Sequence, residues 1–186
     1  MRKFSIRIEH GDKKGVKICD GFCNEGSRIT TSANRCILFN VLRNKFYLNF
    51  NGLNCADLCC GSGIVGFEFL SLGAKKCLFV DNDRTKLKNI DSAIIKTGFL
   101  GETVCAFLPS FLSNEKFDLI YFDPPYENDF CQKTIDAIND KDLLSSNGIL
   151  VVETLHDIET KNYEVLDIKH LKNGAKFFFL GKIKKK

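Results

Sequence analysis

The stretch "CADLCCGSGIVGFEFLSLG", residues 55–73, decides the fold. Its opening run, "CADLC", has the length and residue types of a buried strand. Gly61, Gly63 and Gly66 follow as Gly-x-Gly-x-x-Gly, the spacing of a tight turn that opens a helix. Residues from about 63 to 72 then have helix length, and Gly73 stands where a helix-ending glycine belongs. A strand, a bare-backbone turn and a helix in that order make the first half of a parallel strand–helix–strand unit.

The alternation continues on both sides. Downstream, "KCLFV", "ETVCAF", "FDLIYFD" and "GILVVE" read as strands, with helices over roughly 83–97 and 128–144. Asp83 fits the N-cap of the first of these helices, and Gly98 fits its end. Two last strands, near 163–170 and 176–183, are separated by a short Lys-Asn-Gly turn and must pair antiparallel. Upstream, "FSIRIEH" and "KGVKICD" read as short strands around a turn at 11–15, and "SANRCILFNVLRNKF" has apolar residues at helical spacing. The whole pattern predicts an α/β three-layer sandwich with a mostly parallel sheet and an antiparallel terminal hairpin. Ligands of such sheets bind beyond the carboxyl ends of the strands.

Three acids fall at those ends. Asp57 precedes Gly61 by four residues. A carboxylate there repels a pyrophosphate but suits the ammonium of S-adenosylmethionine (AdoMet); the alternative is a structural turn around a buried, hydrogen-bonded Asp. Asp81 lies 24 residues beyond Asp57, near the offset at which an acid holds ribose hydroxyls. Asp123 opens "DPPY". Pro124 and Pro125 fix φ and lack N–H groups, so the carbonyls of Asp123 and Pro124 are aimed acceptors. A carboxylate beside an aimed carbonyl complements a planar exocyclic NH₂, and Tyr126 offers a face on which a base can stack. A rigid turn with a core aromatic is the plainer alternative.

The 186 residues suffice for one domain with a proper core, and 44% hydrophobic and 27% charged residues are ordinary for a soluble protein. No apolar run has the length of a membrane span, and the alternating N-terminus reads as a strand and not as a signal peptide, which predicts a cytoplasmic protein. The nine cysteines lack metal-ligand spacing and fall mostly in apolar runs, where a thiol packs as a small hydrophobe; no metal site is expected. Net charge is +4, but residues 1–50 hold ten Lys/Arg against four Asp/Glu. That concentration suits a polyanionic partner at the N-terminal segment.

"DLCCGSGIVG…VDND…FDLIYFDPPY" resembles the Rossmann-like AdoMet-dependent methyltransferases that modify exocyclic amino groups. "SRITTSANRCILFNVL" and "LKNGAKFFFL" narrow the resemblance to the small-subunit (16S) ribosomal RNA guanine-N2 methyltransferases, over residues 28 to 180. The resemblance implies a class I methyltransferase sheet in residues 46–186 and a basic, RNA-facing extension in residues 1–45. It also implies AdoMet held by Asp57, Gly61, Gly63, Gly66 and Asp81. Asp123, Pro124 and Tyr126 would be catalytic, and Arg28, Arg35, Arg43 and Pro125 would meet RNA in an assembled or partly assembled small subunit, with the protein a monomer. Ile29 and Cys36 depart from the family's Pro and Glu. Where the family ends its third strand with Asp or Asn, this chain offers Cys105, Ala106 and Phe107, so backbone groups would have to hold the adenine. Rival readings are a DNA adenine-N6 or cytosine-N4 methyltransferase and a catalytically silent RNA-binding assembly factor; a nicotinamide dehydrogenase would leave Asp57 and the proline loop unexplained.

Overall fold

The computed structural model describes residues 3–22, 30–110, 114–125 and 128–183. Strands β3 (Asn54–Leu58), β4 (Lys76–Asp81), β5 (Gly101–Cys105), β6 (Phe117–Phe122) and β7 (Leu144–Thr154) alternate with helices α2 (Ile64–Ser71), α3 (Arg84–Thr97) and α4 (Asn128–Asp140). With β8 (Tyr163–His170) and β9 (Lys176–Lys182) they form one seven-stranded sheet in the order β5-β4-β3-β6-β7-β9-β8. β9 runs antiparallel to both β7 and β8, and the other pairs are parallel. The predicted sandwich and terminal hairpin are present.

The N-terminal strands β1 (Lys3–Arg7) and β2 (Lys17–Phe22) pair as a separate antiparallel sheet. Helix α1 (Ser32–Asn40) starts where the Thr31 hydroxyl accepts the Asn34 amide, and it widens into a π-helical turn over Val41–Lys45. The loop between β1 and β2 docks on the end of α2. The Asp12 amide donates to the Ser71 carbonyl at 2.8 Å, and the Lys13 amide donates to the Ser71 hydroxyl at 2.9 Å. Gly11, at φ +75°, passes so close that a Cβ would sit 1.8 Å from the Ser71 carbonyl oxygen.

Two apolar clusters lie on the two faces of the sheet. Ile8, Ile18, Leu38 and Phe39 share one with Phe67, Phe69, Phe79 and Phe179, so the N-terminal segment and the sheet have a common core. α4 covers the other face through Ile135 and Ile138, against Phe122, Leu150 and Leu180. Cys55, Cys60, Cys77 and Cys131 are buried free thiols in these clusters, as small hydrophobes should be.

One helix is shorter than its pattern suggests. α4 ends at Asp140, not near 144, because Asp142 takes φ +53° and turns the chain into β7. β7 in turn begins at Leu144, four residues before Gly148, and its pairing with β6 shifts register between Phe117 and Leu119. The polar Ser145, Ser146 and Asn147 hide that first part of the strand from a search for apolar runs.

Candidate active site

The Gly loop is held by the two acids beneath it. Asp57, on β3 and 1% exposed, accepts the Gly66 amide on Oδ2 at 2.9 Å. This ties the first turn of α2 to the strand. Asp81, the last residue of β4, accepts the Gly61 amide on Oδ2 at 2.8 Å and the Asp83 amide on Oδ1 at 2.9 Å. Each oxygen of Asp81 retains a second lone pair for a further donor. Asp83 caps α3 as expected, accepting the Thr85 and Lys86 amides.

The three glycines serve different needs. Gly63, at φ +71°, is the N-cap of α2. Gly66 brings helix and sheet together: a Cβ there would lie 2.4 Å from Phe79 Cε1. At Gly61, φ +55°, a Cβ would meet nothing within 4 Å, so the loop is open on that side. Cys59, also left-handed at φ +58°, turns the chain out of β3.

β6 delivers Asp123 to the same edge. Its amide donates to the Leu58 carbonyl at 3.3 Å, which places it at the end of β3 next to the Gly loop. Asp123 is half-buried, Pro124 buried and Pro125 exposed. Asp57, Asp81 and Asp123 all act on Cys59: burial first, then these three carboxylates, push its thiol up, with Lys86 opposing. Burial likewise raises the Asp57 carboxyl well above the carboxylate range, and Asp123 and Asp81 add to it. The Lys86 ammonium stands 3.6 Å from Asp81 Oδ1. Three carboxylates converging on one strand edge favour a cationic ligand, and the bare backbone at Gly61 leaves it room. These features fit AdoMet, whose sulfonium and ammonium are both cations.

The end of β5 carries no acid, as the sequence indicates. The Ala106 amide donates to the Asp81 carbonyl at 3.0 Å, and Phe107, beside it, is 70% exposed.

Of the four residues expected at RNA, Arg43 and Pro125 are exposed. Arg43 lines a groove of about 450 Å³ with His10, Cys36, Asn40 and Asn44. Arg28 lies outside the described residues, as does Tyr126. Arg35 is a correction. It is 5% exposed, with Nη2 2.6 Å from Glu9 Oε1, Nη1 donating to the Thr30 carbonyl at 2.7 Å and Nε 3.6 Å from Glu68 Oε1. Helical spacing sets Arg35 with Leu38 and Leu42 on the inward side, so its charge is spent inside the fold and not on a phosphate. Glu68, completely buried, also accepts the Glu9 and His10 amides at 2.8 and 2.9 Å.

Sequence reasoning passed over Glu153 and Tyr121. Glu153 ends β7's apolar run at the same sheet edge, the criterion that had singled out the other three acids. It is buried and accepts the Tyr121 hydroxyl at 2.5 Å and Asn34 Nδ2 at 3.2 Å.

Known proteins share this architecture. The model of the family described as "Conserved hypothetical protein 95" matches residues 6–181. Ribosomal RNA small subunit methyltransferase D of Haemophilus influenzae is 28% identical over 177 residues, covering 90% of this chain and 89% of that protein. The protein of the same name from Buchnera aphidicola (subsp. Acyrthosiphon pisum) is 30% identical over 153 residues, covering 80% and 77%. Among solved structures, Escherichia coli yhhF has a TM-score of 0.80 at 23% identity, covering 98% of this chain and all of that one. Thermus thermophilus TrmN has 0.65 at 20%, covering 79% and 48%. With its sheet order, its acid-supported Gly loop and this match over nearly its whole length, the chain belongs to the conserved hypothetical protein 95 family and is an AdoMet-dependent methyltransferase of the Rossmann-like class.

Proposed function

We propose that the chain methylates the exocyclic N2 amine of a guanine in small-subunit (16S) ribosomal RNA. The observation that carries the reading is the placement of half-buried Asp123, followed by Pro124, at the end of β3 beside the Gly loop. Relatives named for small-subunit ribosomal RNA methylation support the substrate class.

Bound AdoMet supplies a methyl group already activated on a sulfonium. Asp57 and Asp81 would hold its cationic amino acid end and its ribose, with the Gly61–Gly66 backbone beneath. The protein's task is positioning, which is worth up to about 7–11 kcal/mol in well-oriented reactions. The guanine N2 lone pair is delocalised into the ring. The Asp123 carboxylate and the Pro124 carbonyl, accepting the two amine hydrogens, would favour a pyramidal nitrogen and stabilise the positive charge that develops on it. The surplus proton leaves to solvent after transfer. Tyr126 would stack on the extruded base, worth about 1–3 kcal/mol. Arg28, Arg43 and Pro125 would meet RNA around the site, with the basic segment 1–45 as the RNA-facing side and 46–186 as the catalytic unit. In this reading the enzyme acts as a monomer, in the cytoplasm, on an assembled or partly assembled subunit. Among the described residues no helix is long and apolar enough to cross a membrane.

The test is radiolabelled AdoMet with small ribosomal subunits from cells lacking the gene, with duplex DNA in parallel, followed by nucleoside digestion. Label in N2-methylguanosine from the subunits is expected. Label only in DNA, or in another nucleoside, overturns the substrate assignment.

A further inference from the structure

Four residues join three elements at the acceptor side of the site. Tyr121 lies two residues before Asp123 on β6, and its hydroxyl donates to Glu153 Oε2 at 2.5 Å. Asn34, in the first turn of α1, donates through Nδ2 to the other oxygen, Oε1, at 3.2 Å. Thr30 Oγ1 stands 3.3 Å from the phenol oxygen. The phenol has one proton and gives it to Glu153, so the threonine hydroxyl donates and the phenol oxygen accepts. Burial pushes the Tyr121 phenol well above its ordinary value, with Asp123 and Glu153 adding, so it remains a donor.

The register brings this network beside the proposed chemistry. Tyr121 pairs with Val151 and Phe122 with Val152 on parallel strands. The next residues along the two strands are Asp123 and Glu153. Glu153 is 7% exposed and Asn34 8%, so their contact is buried.

We propose that Glu153 is a positioning residue: it pins the start of α1, through Asn34 and Tyr121, to the strand edge that carries Asp123. The role rests on the reading of Asp123 as the group that meets the acceptor amine. A carboxylate suits the post because it accepts from two donors on separate elements and needs to donate to neither. A glutamine in its place retains the latch: its oxygen accepts from Asn34 and its NH₂ donates to the phenol oxygen, whose proton turns to Thr30. Alanine removes the acceptor that Glu153 supplies to Asn34 and Tyr121.

Hydrogen exchange over residues 30–36 in the full chain without ligand, compared among wild type, Glu153→Gln and Glu153→Ala, tests the latch directly. Glu153→Ala is expected to speed exchange there by about tenfold or more, the scale of a lost hydrogen bond to a charged group. In single turnover with the methyl acceptor, the same variant is expected to lose roughly 10- to 100-fold in rate, the cost of an ångström-scale misplacement, with AdoMet affinity kept within about threefold. Glu153→Gln is expected to stay near wild type in both. Exchange unchanged by Glu153→Ala, or Glu153→Gln as damaging as Glu153→Ala, overturns the proposal. If Glu153→Ala does not fold, Asn34→Ala cuts one arm and is read by the same exchange criterion. A wild type inactive on ribosomal RNA would overturn the substrate assignment, while the exchange pattern would still decide the latch.

Discussion

The Gly66 amide donates to Asp57 Oδ2 across 2.9 Å, from the first turn of α2 to the middle of the sheet. One acid thereby shapes the cofactor loop from beneath. Burial raises the pKa of that carboxyl, which means the folded protein is stabilised when Asp57 is neutral. The unfolded chain ionises it at an ordinary value. Its contribution to stability is therefore greatest below the unfolded pKa and is lost as pH rises through the folded one. Asp57→Asn keeps an acceptor for Gly66 and removes the charge. Thermal unfolding at pH 7–8 should show it as stable as wild type or more so, without this component of the pH dependence. Calorimetry should show AdoMet bound about 10- to 100-fold more weakly, the worth of one hydrogen bond to a charged group.

Phe107 stands 70% exposed directly after Ala106, whose amide bonds Asp81. With no acid at the end of β5, stacking on this exposed ring would add to the hold of backbone groups on adenine. Phe107→Ala should weaken AdoMet binding by about 1–3 kcal/mol, roughly 5- to 150-fold, and leave the melting temperature within a few degrees. An unchanged dissociation constant would remove Phe107 from the cofactor site.

Arg35 and Arg43 should separate cleanly. Arg35→Ala strips the cation from buried Glu68 and from Glu9, and chemical denaturation should show a loss of about 3–5 kcal/mol. Arg43→Ala should leave stability untouched, weaken RNA binding, and lower the slope of log affinity against log salt by about 1.

Gly11 tests how the N-terminal hairpin is fastened. Its φ of +75° and the 1.8 Å approach to the Ser71 carbonyl leave no place for a methyl group. Gly11→Ala should cost about 2–4 kcal/mol, from left-handed strain and overpacking together, read as a shifted urea midpoint.

What could be read in the sequence follows from what is local. Asp57, Asp81 and Asp123 were legible as one site because each ends a buried strand, and parallel strands deliver their ends to one edge. The helix caps at Asp83 and Gly98 were legible because a cap is a matter of three or four neighbouring residues. Arg35 was not, since a cation on a helix reads as solvated unless its partners are known, and Glu9 and Glu68 lie 26 and 33 residues away. The strand-end position of Glu153 was legible by the same rule as the other acids, but its role was not, because that depends on Tyr121 and Asn34, which only the folded sheet and α1 bring to it. The start of β7 was hidden by polar residues in a stretch that shifts register.

The role of Asp123 is tested most directly by methyl transfer with Asp123→Ala and Asp123→Asn, with AdoMet affinity determined on the same preparations. Asp123 is proposed to meet the acceptor amine. Asp123→Ala should lose about 10²–10³-fold in turnover, the scale of one removed electrostatic stabiliser. AdoMet affinity should change less than about threefold, and Asp123→Asn, which keeps an acceptor oxygen, should retain substantial turnover. Full activity in Asp123→Ala, or a loss explained entirely by weaker AdoMet binding, would remove Asp123 from the methyl-acceptor site.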